Sequence, residues 1–139
     1  MKNWLALIGT LMVIVVTVFV AAGKASHRHM ESLSCGESLL SIGYATRLWA
    51  ADHDGRLPAE FQSASNQLRS PQILICPGDH ARQPAVSWAS WTTNQCSYEI
   101  VSPGLTVTNR KNIFIRCKIH EFVVYADGSV FDGLRQITR

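Results

Sequence analysis

The sequence predicts an α+β protein: an N-terminal membrane helix continuing into an amphipathic helix packed on a small antiparallel β-sheet. Three observations carry that expectation. Residues Trp4 to Ala22 form one apolar run without a charge, set between Lys2 and Lys24. From Cys35 onward, apolar residues recur at spacings of three and four, the period of a helix with one buried face. After Pro58 the period shortens, and short apolar stretches alternate with turns rich in Gly and Pro.

The first element follows from the apolar run. Roughly 20 apolar residues in a helix span the ~30 Å hydrocarbon core. A helix also satisfies its own backbone hydrogen bonds where water is absent. Val20-Ala21-Ala22 and Gly23-Lys24-Ala25 have the small residues that a signal peptidase accepts. The run is nevertheless longer than the roughly 7–15 residues of an ordinary signal-peptide core. A retained anchor and a cleaved signal would both export the remainder. Lys2 lies on one side of the run and Lys24 and Arg28 on the other, so flanking charge does not decide orientation. The expected organisation is residues 1–30 as transmembrane anchor and interfacial segment, and 31–139 as one small extracytoplasmic α+β domain.

The second element is the amphipathic helix, predicted from about Glu31 to His53. Cys35, Leu39, Ile42, Ala45 and Trp49 lie on its core face, widened by Leu40, Tyr44 and Leu48. Asp54-Gly55 stops it and Pro58 prevents its return. Ala59 to Leu68 reads as a short helix. Gln72 to Cys76, closed by Pro77-Gly78, reads as a first strand. Asp79 to Gln95 is a long loop holding Trp88 and Trp91. Ser97 to Val101 and Asn112 to Cys117 are further strands. Glu121 to Ala126 and Ser129 to Phe131 form a hairpin around Asp127-Gly128, a dipeptide that suits a two-residue turn with both residues at positive φ. Asp132-Gly133 marks another turn.

Composition narrows the function classes. The chain has 139 residues, a formal net charge of +3 and no dense basic block, so nucleic-acid binding lacks electrostatic support. Four cysteines, Cys35, Cys76, Cys96 and Cys117, lie beyond the apolar run. In an exported small domain an even count reads as a disulfide framework, with three possible pairings. On the cytoplasmic side the same thiols would be reduced or bound to metal.

Four stretches together resemble type IV pilin-like proteins, in particular the pseudopilins of type II secretion. They are Cys35 to Leu48, with Leu39-Leu40-Ser41-Ile42-Gly43-Tyr44-Ala45; Asp52-His53-Asp54-Gly55-Arg56-Leu57-Pro58; Leu74-Ile75-Cys76-Pro77-Gly78-Asp79; and Arg116-Cys117-Lys118-Ile119-His120 with Tyr125-Ala126-Asp127-Gly128-Ser129-Val130. The resemblance covers most of residues 33 to 131. It implies a helix on an antiparallel sheet, an inner-membrane anchor through Trp4 to Ala22, and envelope or secretion-complex partners. The chain departs from the family at its start. Met1-Lys2-Asn3-Trp4-Leu5 carries no prepilin cleavage site, and the apolar run lacks the glutamate used in filament assembly.

Candidate sites are few. Cys76 with His80 and Cys117 with His120 have spacings that suit a tetrahedral Cys₂His₂ zinc site, the competing reading being disulfides. Asp52, Asp54, Asp127 and Asp132 could offer oxygens to calcium, but the full loop signature is missing and Asp-Gly is chiefly turn chemistry. No motif of a hydrolase or metalloprotease is present, and only Cys117 with His120 could form a nucleophile pair. No catalytic residues are therefore expected. Trp88 and Trp91 offer a possible partner surface or a cap on the sheet edge. The expected function is a membrane-anchored structural or interaction protein. The alternative is an extracytoplasmic Cys/His zinc-binding module.

Overall fold

In the computed structural model, backbone is described for residues 2–133 and 135–137 and side chains for residues 8–133. The apolar run and the amphipathic segment form one helix, α1 (Lys2–Ala51). The chain divides into two compact units, Met1–Glu31 and Ser32–Arg139.

The first unit is helix alone. Leu11, Met12, Val13, Ile14, Val16, Val18 and Phe19 are all exposed, with no protein packed on them. By length and composition this helix can cross a membrane. Trp4 to Leu7 of the apolar run lie outside the described side chains. His27 Nδ1 and Glu31 Oε1 meet at 3.1 Å, one helical turn apart.

The second unit is α+β. Helix α1 ends where His53 N–H and Gly55 N–H both donate to Ala50 O and Asp54 and Gly55 take positive φ. The sheet has five strands in sequential order, β1 (Tyr98–Ile100), β2 (Ile113–Cys117), β3 (Phe122–Tyr125), β4 (Val130–Asp132) and β5 (Arg135–Ile137). Every neighbouring pair is antiparallel. Short turns join β2 to β3 and β3 to β4, while residues 101–112 form a longer connection from β1 to β2. Cys35, Leu39 and Ile42 of α1 share a fully buried core with Phe114, Ile115, Val124 and Val130 of the sheet. Phe114 and Ile115 are consecutive yet both buried, because the β2–β3 register shifts between Ile113 and Ile115. Such a bulge turns two successive side chains to one face.

Several expectations are corrected. Tyr44 and Leu48, expected on the core face, are exposed, whereas Leu40 and Trp49 are half-buried and packed against the core, the Trp49 ring also stacked on His53 at 3.6 Å. The buried stripe is therefore narrower than its apolar residues suggest. Gln72 to Cys76 is not a strand: Pro71–Leu74 forms a 3₁₀ turn, capped where Ser70 Oγ accepts from Gln72 N–H. Proline at the first position fixes φ for a helical start. Ala59 to Leu68 splits into a 3₁₀ turn, Phe61–Ala64, and a single helical turn, α2 (Ser65–Leu68). The hairpin loop has three residues, not two. Gly128 N–H donates to Tyr125 O, Tyr125 N–H donates to Ser129 O, and only Gly128 takes positive φ, at 83°. Asp127 stays at negative φ and accepts from Ser129 N–H and Oγ–H, which closes this larger loop.

Candidate metal centre

Three segments distant in sequence bring donor atoms together. Cys35 comes from the core face of α1, Cys76 from the end of the segment after the 3₁₀ turn, and Cys117 with His120 from the end of β2 and the turn that follows. Their sulfur and ring-nitrogen atoms all lie within 4.8 Å of one another. The three thiols are fully buried and His120 is half-buried.

Local structure explains each position. Cys76 N–H donates to Ser97 Oγ at 3.0 Å, and Ser97 Oγ–H donates to Asp79 Oδ2 at 2.7 Å. Asp79 also accepts from the backbone N–H groups of Ala81 and Arg82 and from the Arg82 guanidinium at 2.6 Å. Burial pushes its carboxyl up, but these donors outweigh burial and hold it below the usual carboxylate range. The turn after Cys76 is thereby fixed. His120 reaches the cluster because Gly78 has no side chain: a Cβ there would sit 2.8 Å from its Cε1 and 3.1 Å from its Nε2. Glu121, next in the chain, is held at φ 58°, a conformation that non-glycine residues seldom take. The His120 ring also lies beside Phe122, centroids 5.9 Å apart.

The distances suit one tetrahedral ion. Cys76 Sγ is 3.7 Å from Cys117 Sγ and 3.2 Å from His120 Nδ1. With Zn–S of about 2.3 Å and Zn–N of about 2.0–2.1 Å, a tetrahedron has S···S edges of about 3.8 Å and S···N edges of about 3.6 Å. A disulfide needs about 2.05 Å between sulfurs. No disulfide joins the four cysteines in this structure. Backbone N–H groups point at the sulfurs as well: Gly78 to Cys76, and Ile119 and His120 to Cys117. Such donors stabilise a thiolate, the form that binds metal.

The thiols influence one another strongly. Cys117 is held well below the ordinary thiol range, first by Cys35, then by Cys76, with the backbone donors adding. Cys35 is pushed far above that range, first through Cys117 and then through Cys76 and burial. Cys76 is pushed up to about 11, first through Cys117. Tyr98 OH lies 3.8 Å from Cys35 Sγ, and its phenol is pushed far up by burial.

Of the sequence-predicted zinc set, the structure brings together Cys76, Cys117 and His120. His80 is exposed and outside the group, because the Asp79 turn carries it away; Cys35 takes its place. Cys35 was legible as a cysteine on a core face, but not as a ligand, because no histidine or cysteine stands near it in sequence. Cys96 stands apart, its Sγ–H donating to Tyr98 O at 3.1 Å, and burial pushes its thiol up to about 11. Cys117 is too deeply buried to serve as an exposed nucleophile, and His120 Nδ1 contacts Cys76. Asp52, Asp54, Asp127 and Asp132 belong to no donor group of this kind among the described residues. Trp88 and Trp91 are half-buried on the edge of the core, rings tilted at 5.7 Å, and Trp88 Nε1–H donates to Arg69 O at 3.2 Å. Comparison of the chain with protein-family models, curated proteins and solved structures returns no match.

Proposed function

We propose that this chain is a single-pass, membrane-anchored structural and interaction module of the bacterial envelope, of the pseudopilin-like kind. The observation that supports it most is helix α1, which contributes both an uncharged, outward-facing apolar stretch and one wall of a packed α+β domain. Lipid is the medium that suits the first part, since exposed side chains such as Leu11 and Phe19 have no protein cover. The pilin-like resemblance points to proteins of an envelope or secretion complex as partners. A structural role suits the buried cluster too. Its three thiols have no exposed surface, so a substrate would have no path to them.

In this reading residues 31–139 lie outside the cytoplasm. A second reading places them inside, favoured by one observation. Converging cysteines and histidine are commoner as metal sites in reducing compartments. Protease and impermeable-thiol labelling of intact spheroplasts test both. Carbonate-resistant membrane association with external digestion of the domain is the expected result. Protection of the domain until the membrane is opened would establish the second reading. A chain found wholly in the soluble fraction would overturn the anchor.

A further inference from the structure

We propose that Cys35, Cys76, Cys117 and His120 together hold one zinc ion in a closed structural site that fastens helix α1 to the β-sheet. The anchoring proposal is independent of this one. The donor set is the first argument: three sulfurs and one imidazole nitrogen form a recognised set for tetrahedral zinc, and the soft thiolates disfavour magnesium and calcium. Geometry is the second. The S···S distance of 3.7 Å is close to the edge of about 3.8 Å that one central ion would set, and the S···N distance of 3.2 Å is shorter than its edge of about 3.6 Å, so the His120 ring moves outward by a few tenths of an ångström on binding. Supporting contacts are the third. N–H groups of Gly78, Ile119 and His120 aim at two of the sulfurs, and Ser97 with Asp79 fixes the Cys76 turn.

Binding has a simple balance. Each of the three thiols loses its proton, neutral His120 binds through Nδ1, and the filled site carries one net negative charge. Four protein ligands complete the tetrahedron, so no position remains for water or substrate. The site ties together three stretches of chain: α1, the turn at Cys76, and the β2–β3 connection. None of these stretches holds more than two of the ligands, so the ion binds only when the domain is folded. It therefore stabilises the folded domain by mass action.

The test uses the full chain in detergent micelles, purified with reductant and assayed by elemental analysis for zinc, iron, copper and nickel. One zinc per chain is expected. Cys35→Ser and Cys117→Ser should weaken zinc binding by more than the roughly 10–100-fold that loss of a supporting contact costs. Cys96→Ser and His80→Ala should keep it. His120→Cys should also keep it, as a four-sulfur site, and remains informative where a serine variant does not fold. Cobalt loaded in place of zinc should show the intense visible bands of a tetrahedral ion and a sulfur-to-cobalt charge-transfer band, stronger in His120→Cys. Metal-free protein, iron in place of zinc, or a Cys76–Cys117 disulfide in freshly reduced protein kept anaerobic would each overturn the proposal. So would zinc lost in His80→Ala and retained in Cys35→Ser.

Discussion

One absent Cβ decides where His120 sits. Gly78→Ala would place a methyl group 2.8 Å from the His120 ring, which must then shift from its place beside Cys76 or push the turn at Gly78 aside. Zinc affinity, measured by competition with a chromophoric chelator, should fall roughly 10–100-fold while the fold persists. An unchanged affinity would mean that the ring position does not matter. Asp127 governs a different turn. Burial raises its carboxyl pKa, but hydrogen bonds from Ser129 and the charges of Arg110 and Arg47 outweigh burial and hold it below the ordinary value. A depressed carboxylate stabilises the fold fully above its unfolded pKa, near 3.9, and ceases to as pH falls through its lower folded value. Asp127→Asn should thus be less stable than the parent in urea at neutral pH, with the gap closing as pH falls below the unfolded carboxylate value and through the lower folded one. At this scale the sequence reveals a ligand only where a partner lies close by. Cys117 and His120 are two residues apart and were legible as a pair. Cys35 stands alone on a helix, and only the fold supplies its neighbours.

Helix α1 tests how packing selects one face. Leu39 is fully buried and Tyr44, five residues on, is 69% exposed. Leu39→Ala should cost about 2–5 kcal/mol in urea unfolding, because a cavity remains. Tyr44→Ala should stay within about 0.5 kcal/mol. Equal losses would mean that both faces are covered. The elements were legible where the pattern was strong. Strands β2, β3 and β4 announced themselves by β-branched and aromatic residues between turns. The stretch Gln72 to Cys76 looked equally strand-like, but Ser70 and Pro71 start a 3₁₀ turn that outweighs its apolar side chains. Strand β5 has one apolar residue in Arg135-Gln136-Ile137 and gave no signal of its own. Its pairing with β4 comes from the Asp132-Gly133 turn, which the sequence did mark.

The whole molecule combines an apolar helix with a small domain whose single core includes three thiols. Small domains bury little apolar surface, and a structural metal is a common supplement. Removing zinc from the full chain with a strong chelator should lower the melting temperature of the domain by on the order of 10 °C or more, taking ligand linkage of about 4 kcal/mol at a thousandfold excess over Kd. Cys35→Ser should melt low with or without chelator. The α+β class was legible from periodicity, which depends on neighbours in sequence. The site was legible only in part, because its ligands come from three segments joined by tertiary packing. X-ray absorption at the zinc edge of the purified full chain reads the ligand shell itself. It should show three sulfurs at about 2.3 Å and one nitrogen at about 2.0–2.1 Å from each zinc. A shell of nitrogen and oxygen alone, or fewer than three sulfurs, would contradict the proposed site.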